Sequence, residues 1–83
     1  MTELSRRKRI VVLGGYGVSG RKLAEALLRH EHLEVIVAGR SQRKAEAFCR
    51  RHGGTAAFLD RTAPDFAAAL LALRPFVTVD AAG

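Results

Sequence analysis

The chain has 83 residues, 48% of them hydrophobic, which suits one small domain with a thin core and argues against a disordered segment. Its single cysteine, Cys49, excludes an internal disulfide and is expected in the core rather than as a reactive thiol. No apolar run approaches the roughly 20 residues of a membrane-spanning helix. We therefore expect a cytoplasmic protein with no membrane partner.

The formal net charge of +6 is concentrated near the start of the chain, where Arg6, Arg7, Lys8 and Arg9 are consecutive. Residues 1–8 are predicted to form a loose polar arm, either solvated or attracted nonspecifically to phosphates. No aromatic side chains are interleaved with these charges, as they are in proteins that bind single strands. Nucleic acid is therefore not the partner that we expect.

Short apolar strands alternate with amphipathic helices along the rest of the chain. The predicted strands are 9–13, 34–38, 55–59 and 76–79, and the predicted helices are 17–30, 42–52 and 64–73. Ser41 is placed to cap the second helix, whose apolar stripe ends with His52. Thr62 begins a sequence similar to a capping box before the third helix.

This alternation, with right-handed crossovers, predicts an α/β fold with a Rossmann-like parallel sheet of strand order 3-2-1-4. The first two helices are expected on one face of the sheet and the third helix on the other. A complete doubly wound domain continues beyond its fourth strand. We therefore expect 1–83 to be the N-terminal dinucleotide-binding fragment of a longer protein, with self-association through the open sheet edge.

A glycine-rich turn joins the first strand to the first helix. Gly15, Gly17 and Gly20 have the spacing of the dinucleotide-binding fingerprint, and Gly14 precedes them. In that fingerprint the first glycine permits the turn, the second lets the backbone approach a pyrophosphate, and the third lets the helix pack closely. The turn is therefore predicted to hold the pyrophosphate of a dinucleotide.

Three neighbours of these glycines are also candidate cofactor residues. Backbone N–H groups around Val18, at the start of the helix, are expected to point at the anion together with the helix dipole. The Ser19 hydroxyl either donates a further hydrogen bond or serves as a cap. Tyr16, at the tip of the turn, either flanks the cofactor or packs the loop.

The end of the second strand distinguishes the two nicotinamide cofactors. Enzymes that use NAD usually place Asp or Glu there, on the ribose 2′-hydroxyl. This chain instead has Gly39, Arg40 and Ser41. A guanidinium binds a 2′-phosphate through two parallel hydrogen bonds, Gly39 leaves room for it, and Ser41 adds a donor. NADP (NADPH) is therefore the predicted cofactor, and an ordinary exposed loop arginine is the alternative.

The ends of the third and fourth strands supply the remaining candidates. Asp60 either accepts from the adenine amino group or is a turn residue, and Asp80 is expected to hold a neighbouring loop. Ala81 and Ala82 are small enough to let the backbone approach the nicotinamide half. The three histidines are dispersed, so no metal site and no catalytic base is predicted from them.

Three motifs carry a resemblance to a known family: Val-Leu-Gly-Gly-Tyr-Gly-Val-Ser-Gly at 12–20, Val-Ala-Gly-Arg-Ser at 37–41 and Val-Asp-Ala-Ala-Gly at 79–83. Together they resemble the NADP-binding domain of the saccharopine dehydrogenase-like family. The resemblance implies oxidation or reduction at carbon–nitrogen bonds with NAD(P), and it carries over to the glycine turn and Arg40. It carries no catalytic residue, because the family's substrate domain follows this segment.

The function expected from these observations is that of an NADP(H)-binding segment of an oxidoreductase. The full-length protein would transfer hydride to or from a small carbonyl or imine substrate. A non-catalytic module that binds or senses NADP(H) is the alternative.

Overall fold

A computed structural model describes residues 7–81 of the chain, so the predicted contact of Ala82 and the start of the basic arm lie outside the described residues. Strands and helices alternate as predicted. The strands are β1 (Lys8–Leu13), β2 (Leu33–Gly39), β3 (Thr55–Phe58) and β4 (Val77–Asp80), and the helices are α1 (Val18–Leu28), α2 (Gln42–His52) and α3 (Phe66–Ala72).

The four strands form one parallel sheet in the order β3-β2-β1-β4, which confirms the predicted α/β architecture. The register places Val12 beside Val37 on one side and beside Val79 on the other. Because all strands run in the same direction, the loops that follow β1, β2, β3 and β4 meet along one edge. This carboxyl edge of the sheet is where ligands bind in folds of this kind.

The two central strands are buried on both faces, which explains their continuous apolar sequences. Val12 and Val37 pack in the layer beneath α1 and α2, whereas Val11 and Ile36 pack in the layer beneath α3. Val11, Val12 and Val37 are fully buried. The helices therefore cover the two faces as predicted, and the core holds the carboxyl edge in place.

At the opposite edge of the sheet, where the strands begin, the prediction of a loose arm over residues 1–8 is wrong for Lys8. Lys8 already belongs to β1, and its backbone N–H donates to the carbonyl of His32 at 2.9 Å. Arg9 donates from Nε to Glu34 at 3.1 Å and from Nη1 to the carbonyl of Leu73 at 2.6 Å. Half of the predicted basic cluster is thus part of the folded sheet.

At the helix ends one local expectation is confirmed and two were wrong. Ser41 caps α2 as expected, with its hydroxyl accepting from the N–H of Lys44 at 3.2 Å. Thr62 does not cap α3, which begins only at Phe66. His52 is exposed rather than buried, because its ring reaches over Phe48 toward Glu25, 3.8 Å from the carboxylate.

Apolar side chains remain exposed beside β4 and on α3. Phe76 is 65% exposed and Val77 43% exposed at the β4 side of the sheet, and Leu71 is 71% exposed on α3. Self-association through this edge remains a prediction.

Candidate functional site

A cleft of about 710 Å³ lies at the carboxyl edge of the sheet, within the usual size range of small-molecule sites. It is surrounded by the loops that follow all four strands. The residues that line it are Leu13, Gly14, Tyr16, Gly17, Val18, Ser19, Gly39, Arg40, Leu59, Arg61, Thr62 and Ala81. The structure thus brings most of the predicted site residues together around one space.

Backbone hydrogen bonds fix the glycine turn at the centre of the cleft. Gly14 has a left-handed φ of 75°, and its N–H donates to the carbonyl of Ala38 at 2.7 Å. The carbonyl of Gly14 then accepts from the N–H of Gly17 at 3.0 Å, and the carbonyl of Gly17 accepts from Arg21 at 2.8 Å to begin α1. The chain therefore turns directly from β1 into a helix whose N-terminus faces the cleft.

The N-terminus of α1 has backbone N–H groups without an acceptor inside the helix. The N–H groups of its first turn, at Val18, Ser19 and Gly20, have no intrahelical acceptor, as in any helix. The N-cap is Gly17, which has no side chain to satisfy them. Together with the helix dipole, these donors make the turn suitable for an anion.

Packing explains two glycines of the motif. A Cβ on Gly20 would lie 2.8 Å from the carbonyl carbon of Gly14, so only glycine lets α1 pack against the turn. A Cβ on Gly15 would lie 3.1 Å from Cγ1 of Val37, inside the core. Both residues are buried and neither lines the cleft, so packing alone accounts for a glycine at each position, and contact of their backbone with a cofactor stays a prediction.

Gly17 differs from these two glycines. Its φ of −80° is open to any residue, and an added Cβ would meet only the carbonyl oxygen of Gly14, at an ordinary distance of 3.4 Å. Folding therefore gives no reason for a glycine at this position. The space above Gly17 is open cleft, and a side chain there would stand between a ligand and the N–H groups of α1.

Tyr16 crosses from the glycine turn to the loop after β2. Its hydroxyl accepts from the backbone N–H of Ser41 at 3.1 Å. A Cβ on Gly39 would lie 2.7 Å from Cε2 of the Tyr16 ring, so the ring fills the space above that glycine. The expectation that Gly39 leaves room for a 2′-phosphate was therefore wrong. Tyr16 thus packs the loop, and because it also lines the cleft, its contact with a cofactor stays a prediction.

Arg40 lines the cleft and is exposed. Within residues 7–81 it makes no hydrogen bond and no close ion pair. Its position at the end of β2, across the cleft from the start of α1, leaves a guanidinium available for an anionic ligand. Ser41, by contrast, uses its hydroxyl to cap α2 and does not line the cleft.

Asp60 is used within its own loop. Its carboxylate accepts from the N–H and the hydroxyl of Thr62, at 3.0 and 2.7 Å. These two hydrogen bonds, and more weakly the positive charge of Arg40, lower the pKa of Asp60 below its ordinary value. Asp60 does not line the cleft, so the geometry matches the turn residue rather than an adenine contact.

Sequence reasoning missed four lining residues: Leu13, Leu59, Arg61 and Thr62. Leu13 and Leu59 are buried and form an apolar floor. Arg61 pairs with Asp80 at 2.5 Å, which gives Asp80 the loop-holding role that was expected. The available signal was topological, because residues just after β3 must reach the same edge as the glycine turn.

Other candidate chemistry is absent from the described part of the chain. Among residues 7–81, no group of three or more His, Cys, Asp and Glu side chains converges as a metal site would require. Over the same residues, no helix combines the length and the apolar character needed to cross a membrane. Cys49 is half-buried, and burial raises the pKa of its thiol.

Comparison with solved structures supports the architecture. The fold is similar to a crystal structure of ribose-5-phosphate isomerase from Brucella melitensis 16M, with a TM-score of 0.79 and 31% sequence identity. The alignment covers 95% of this chain and 34% of that one, so this chain spans about a third of the length of that protein. No curated protein matches the chain significantly.

Comparison with protein families addresses the site itself. Residues 10–83 match the family described as Saccharopine dehydrogenase NADP binding domain. The match includes β1 from Ile10 onward, the glycine turn with Tyr16 and the loop with Arg40, so it covers both sides of the cleft. The resemblance that the three motifs indicated is confirmed: the chain belongs to the saccharopine dehydrogenase NADP-binding domain family.

Proposed function

We propose that this chain binds NADP(H) in the cleft, as the cofactor-binding segment of a cytoplasmic oxidoreductase. The observation that carries the proposal is the meeting, at one cleft, of two positive groups that have no hydrogen-bond acceptor within residues 7–81. One is the N-terminus of α1 with its free N–H groups, and the other is the guanidinium of Arg40. A dinucleotide with a 2′-phosphate has a matching pair of anionic groups, whereas NADH has only the diphosphate.

Gly17 bears on whether the residues of the cleft fit a bound diphosphate. The backbone conformation of Gly17 does not require glycine, and neither does the packing around it. A diphosphate that approaches the N–H groups of α1 does require the absence of a side chain. The residue that folding does not explain is thus the one that the cofactor would contact.

Each part of the cleft then has a role in binding. The first-turn N–H groups of α1 would hold the diphosphate, and Arg40 would hold the 2′-phosphate. Leu13 and Leu59 offer apolar surface to the uncharged parts of the cofactor. When bound, NADP(H) supplies hydride-transfer chemistry, and this domain's contribution is to bind and orient it.

Catalysis belongs to a larger protein in this proposal. We propose that a full-length protein containing this N-terminal domain transfers hydride between NADP(H) and a small carbonyl or imine substrate. A non-catalytic module that senses NADP(H) is the alternative. It predicts a full-length protein that binds NADPH but consumes none when offered imines and carbonyl compounds.

A sugar phosphate is the second candidate ligand, because the similar solved structure is named as a ribose-5-phosphate isomerase. Ribose 5-phosphate carries one phosphate and no base, so it would use only one of the two positive groups. The cleft, with both groups and an apolar floor, favours a dinucleotide.

Calorimetric titration of the chain with NADPH and with ribose 5-phosphate tests the proposal. NADPH is expected to saturate a single site, and a large excess of ribose 5-phosphate is expected not to displace it. Binding of ribose 5-phosphate without binding of NADPH would overturn the proposal in favour of the second candidate.

A further inference from the structure

Tyr16 contacts the residues on both sides of Arg40. Its hydroxyl accepts from the N–H of Ser41 at 3.1 Å, and its ring lies against Gly39. The β2–α2 loop is therefore attached to the glycine turn at two points, one before and one after Arg40. The two sides of the cleft, which come from distant parts of the sequence, are joined by this single side chain.

The contact with Gly39 explains why that residue is a glycine. Among residues 7–81 the glycines with positive φ are Gly14, Gly53 and Gly54, so the backbone at Gly39 does not require glycine. A Cβ on Gly39 would lie 2.7 and 2.8 Å from Cε2 and Cζ of Tyr16, which is closer than real carbon contacts. The two residues are thus matched, since the ring can take this position only because residue 39 has no side chain.

The Tyr16 contacts hold the backbone on either side of Arg40 but not its side chain. Its side chain makes no hydrogen bond or close ion pair within residues 7–81, so protein contacts do not order the guanidinium. The direction in which it reaches depends on the backbone between Gly39 and Ser41. Binding is tighter when a group is held near its bound position beforehand, because less freedom is lost on binding.

We propose that Tyr16 is a positioning residue for NADP(H) selectivity. With Gly39 as its matched partner, it clamps the β2–α2 loop so that Arg40 faces the 2′-phosphate. This inference rests on the proposed function and deepens it, because it assigns cofactor selectivity to a residue that makes no ion pair with the phosphate. The role does not extend to NADH, whose ribose offers Arg40 no phosphate.

Three variants test the clamp: Tyr16→Phe, Gly39→Ala and Tyr16→Ala. The measurement is the ratio of the NADH and NADPH dissociation constants, with the unfolding midpoint recorded for each variant by circular dichroism. Tyr16→Phe keeps the ring and loses the bond to Ser41. We expect it to weaken NADPH binding by about 2- to 10-fold, the range of one hydrogen bond, and to leave NADH binding within about twofold.

A double-mutant cycle separates the clamp from a general packing effect. Gly39→Ala alone is expected to lower the ratio at least as much as Tyr16→Phe, because the new Cβ displaces the ring. In the Tyr16→Ala background the same Gly39→Ala change is expected to have no further effect, because nothing remains to collide with. Tyr16→Phe retains nearly all the packing, so it keeps the test decisive if the alanine variants do not fold.

Three results would overturn this inference while leaving the proposed function intact. They are an unchanged ratio in Tyr16→Phe, an equal loss for both cofactors, and tighter NADPH binding, which would mean that the hydroxyl occupies a phosphate position. Failure of the unaltered chain to bind NADPH is a separate outcome. It would overturn the proposed function and the clamp together.

Discussion

Arginine has opposite surroundings at the two ends of the parallel sheet. At the edge where the strands begin, Arg9 is half-buried, pairs with Glu34 at 3.1 Å and donates to the carbonyl of Leu73. At the edge where the strands end, Arg40 is exposed in a cleft and has no such partner within residues 7–81. The donors of Arg9 are bonded to other parts of the protein, so this arginine has a structural role. The donors of Arg40 have no such acceptors within residues 7–81 and are available to a ligand.

The two longer helices repeat the contrast at their N-termini. The first turn of α2 is capped by the hydroxyl of Ser41, which accepts from the N–H of Lys44. The first turn of α1 begins at Gly17, without a side-chain cap, and opens into the cleft. Among residues 7–81, the carboxyl edge therefore brings the N-terminus of α1 and the guanidinium of Arg40 to one cleft, and the proposed function depends on whether a ligand binds both.

The strongest change that we expect separates two glycines of the same turn. Gly20→Ala forces a Cβ against the backbone of Gly14, which no side-chain movement relieves, so we expect a loss of about 3 kcal/mol or more in unfolding free energy. Gly17→Ala is expected to leave stability within about 1 kcal/mol and to weaken NADPH binding by at least about tenfold. Urea unfolding and NADPH titration measure the two effects.

Wild-type NADPH affinity in a folded Gly17→Ala chain would remove the functional distinction between these glycines. It would mean that the space above Gly17 is not used by the diphosphate. A fully stable Gly20→Ala chain would show instead that the turn is looser than its hydrogen bonds indicate.

A weaker effect distinguishes the two arginines. Arg9→Ala leaves the Glu34 carboxylate and the Leu73 carbonyl without their donor, so we expect a loss of about 1–2 kcal/mol in unfolding free energy, allowing for partial solvent exposure. Arg40→Ala is expected to change that free energy by less than about 0.5 kcal/mol. Both follow from urea unfolding curves, and equal losses would show that Arg40 is structural after all.

The weakest effect concerns Asp60, whose pKa is lowered mainly by Thr62 and more weakly by the positive charge of Arg40. Hydrogen bonds from Thr62 lower the pKa of Asp60 below the ordinary value of 3.8, so the folded state favours its charged form. The stability that Asp60 contributes is therefore complete above about pH 3.8 and is lost as the pH falls through the lower pKa of the folded state.

Comparison with Asp60→Asn measures this contribution. The difference in unfolding free energy between the two chains is expected to be constant from pH 7 to pH 5 and to shrink only at more acidic pH. A difference that changes between pH 7 and pH 5 would contradict the assignment of Asp60 to its bonds with Thr62.

The features that could be predicted from sequence are those with local causes. Apolar runs at 10–13 and 35–38 identify strands buried on both faces, and the handedness of parallel crossovers then fixes the strand order. The glycine spacing places the turn against the start of α1 because it reflects one short stretch of backbone. The cleft and most of its predicted lining follow from these two facts.

The features that were missed depend on side chains that are distant in sequence. Tyr16 meets Ser41 25 positions later, Arg9 meets Glu34 25 positions later, and Arg61 meets Asp80 19 positions later. The Tyr16 and Arg61 contacts depend on the direction in which a loop leaves its strand, and the Arg9 contact depends on the register of β1 and β2. No periodicity encodes either property. For the same reason Gly39 was expected to make room for a phosphate when it makes room for a ring.

The ratio of NADH to NADPH dissociation constants reports on whether the cleft reads a 2′-phosphate through Arg40. It is measured by calorimetry on the unaltered chain, on Arg40→Ala and on Arg29→Ala, which removes the same charge at the far end of α1. We predict a preference for NADPH of about tenfold or more in the unaltered chain and in Arg29→Ala, and its loss in Arg40→Ala. Equal affinity for the two cofactors in the unaltered chain, or a preference that survives Arg40→Ala, would contradict the proposed role of this arginine.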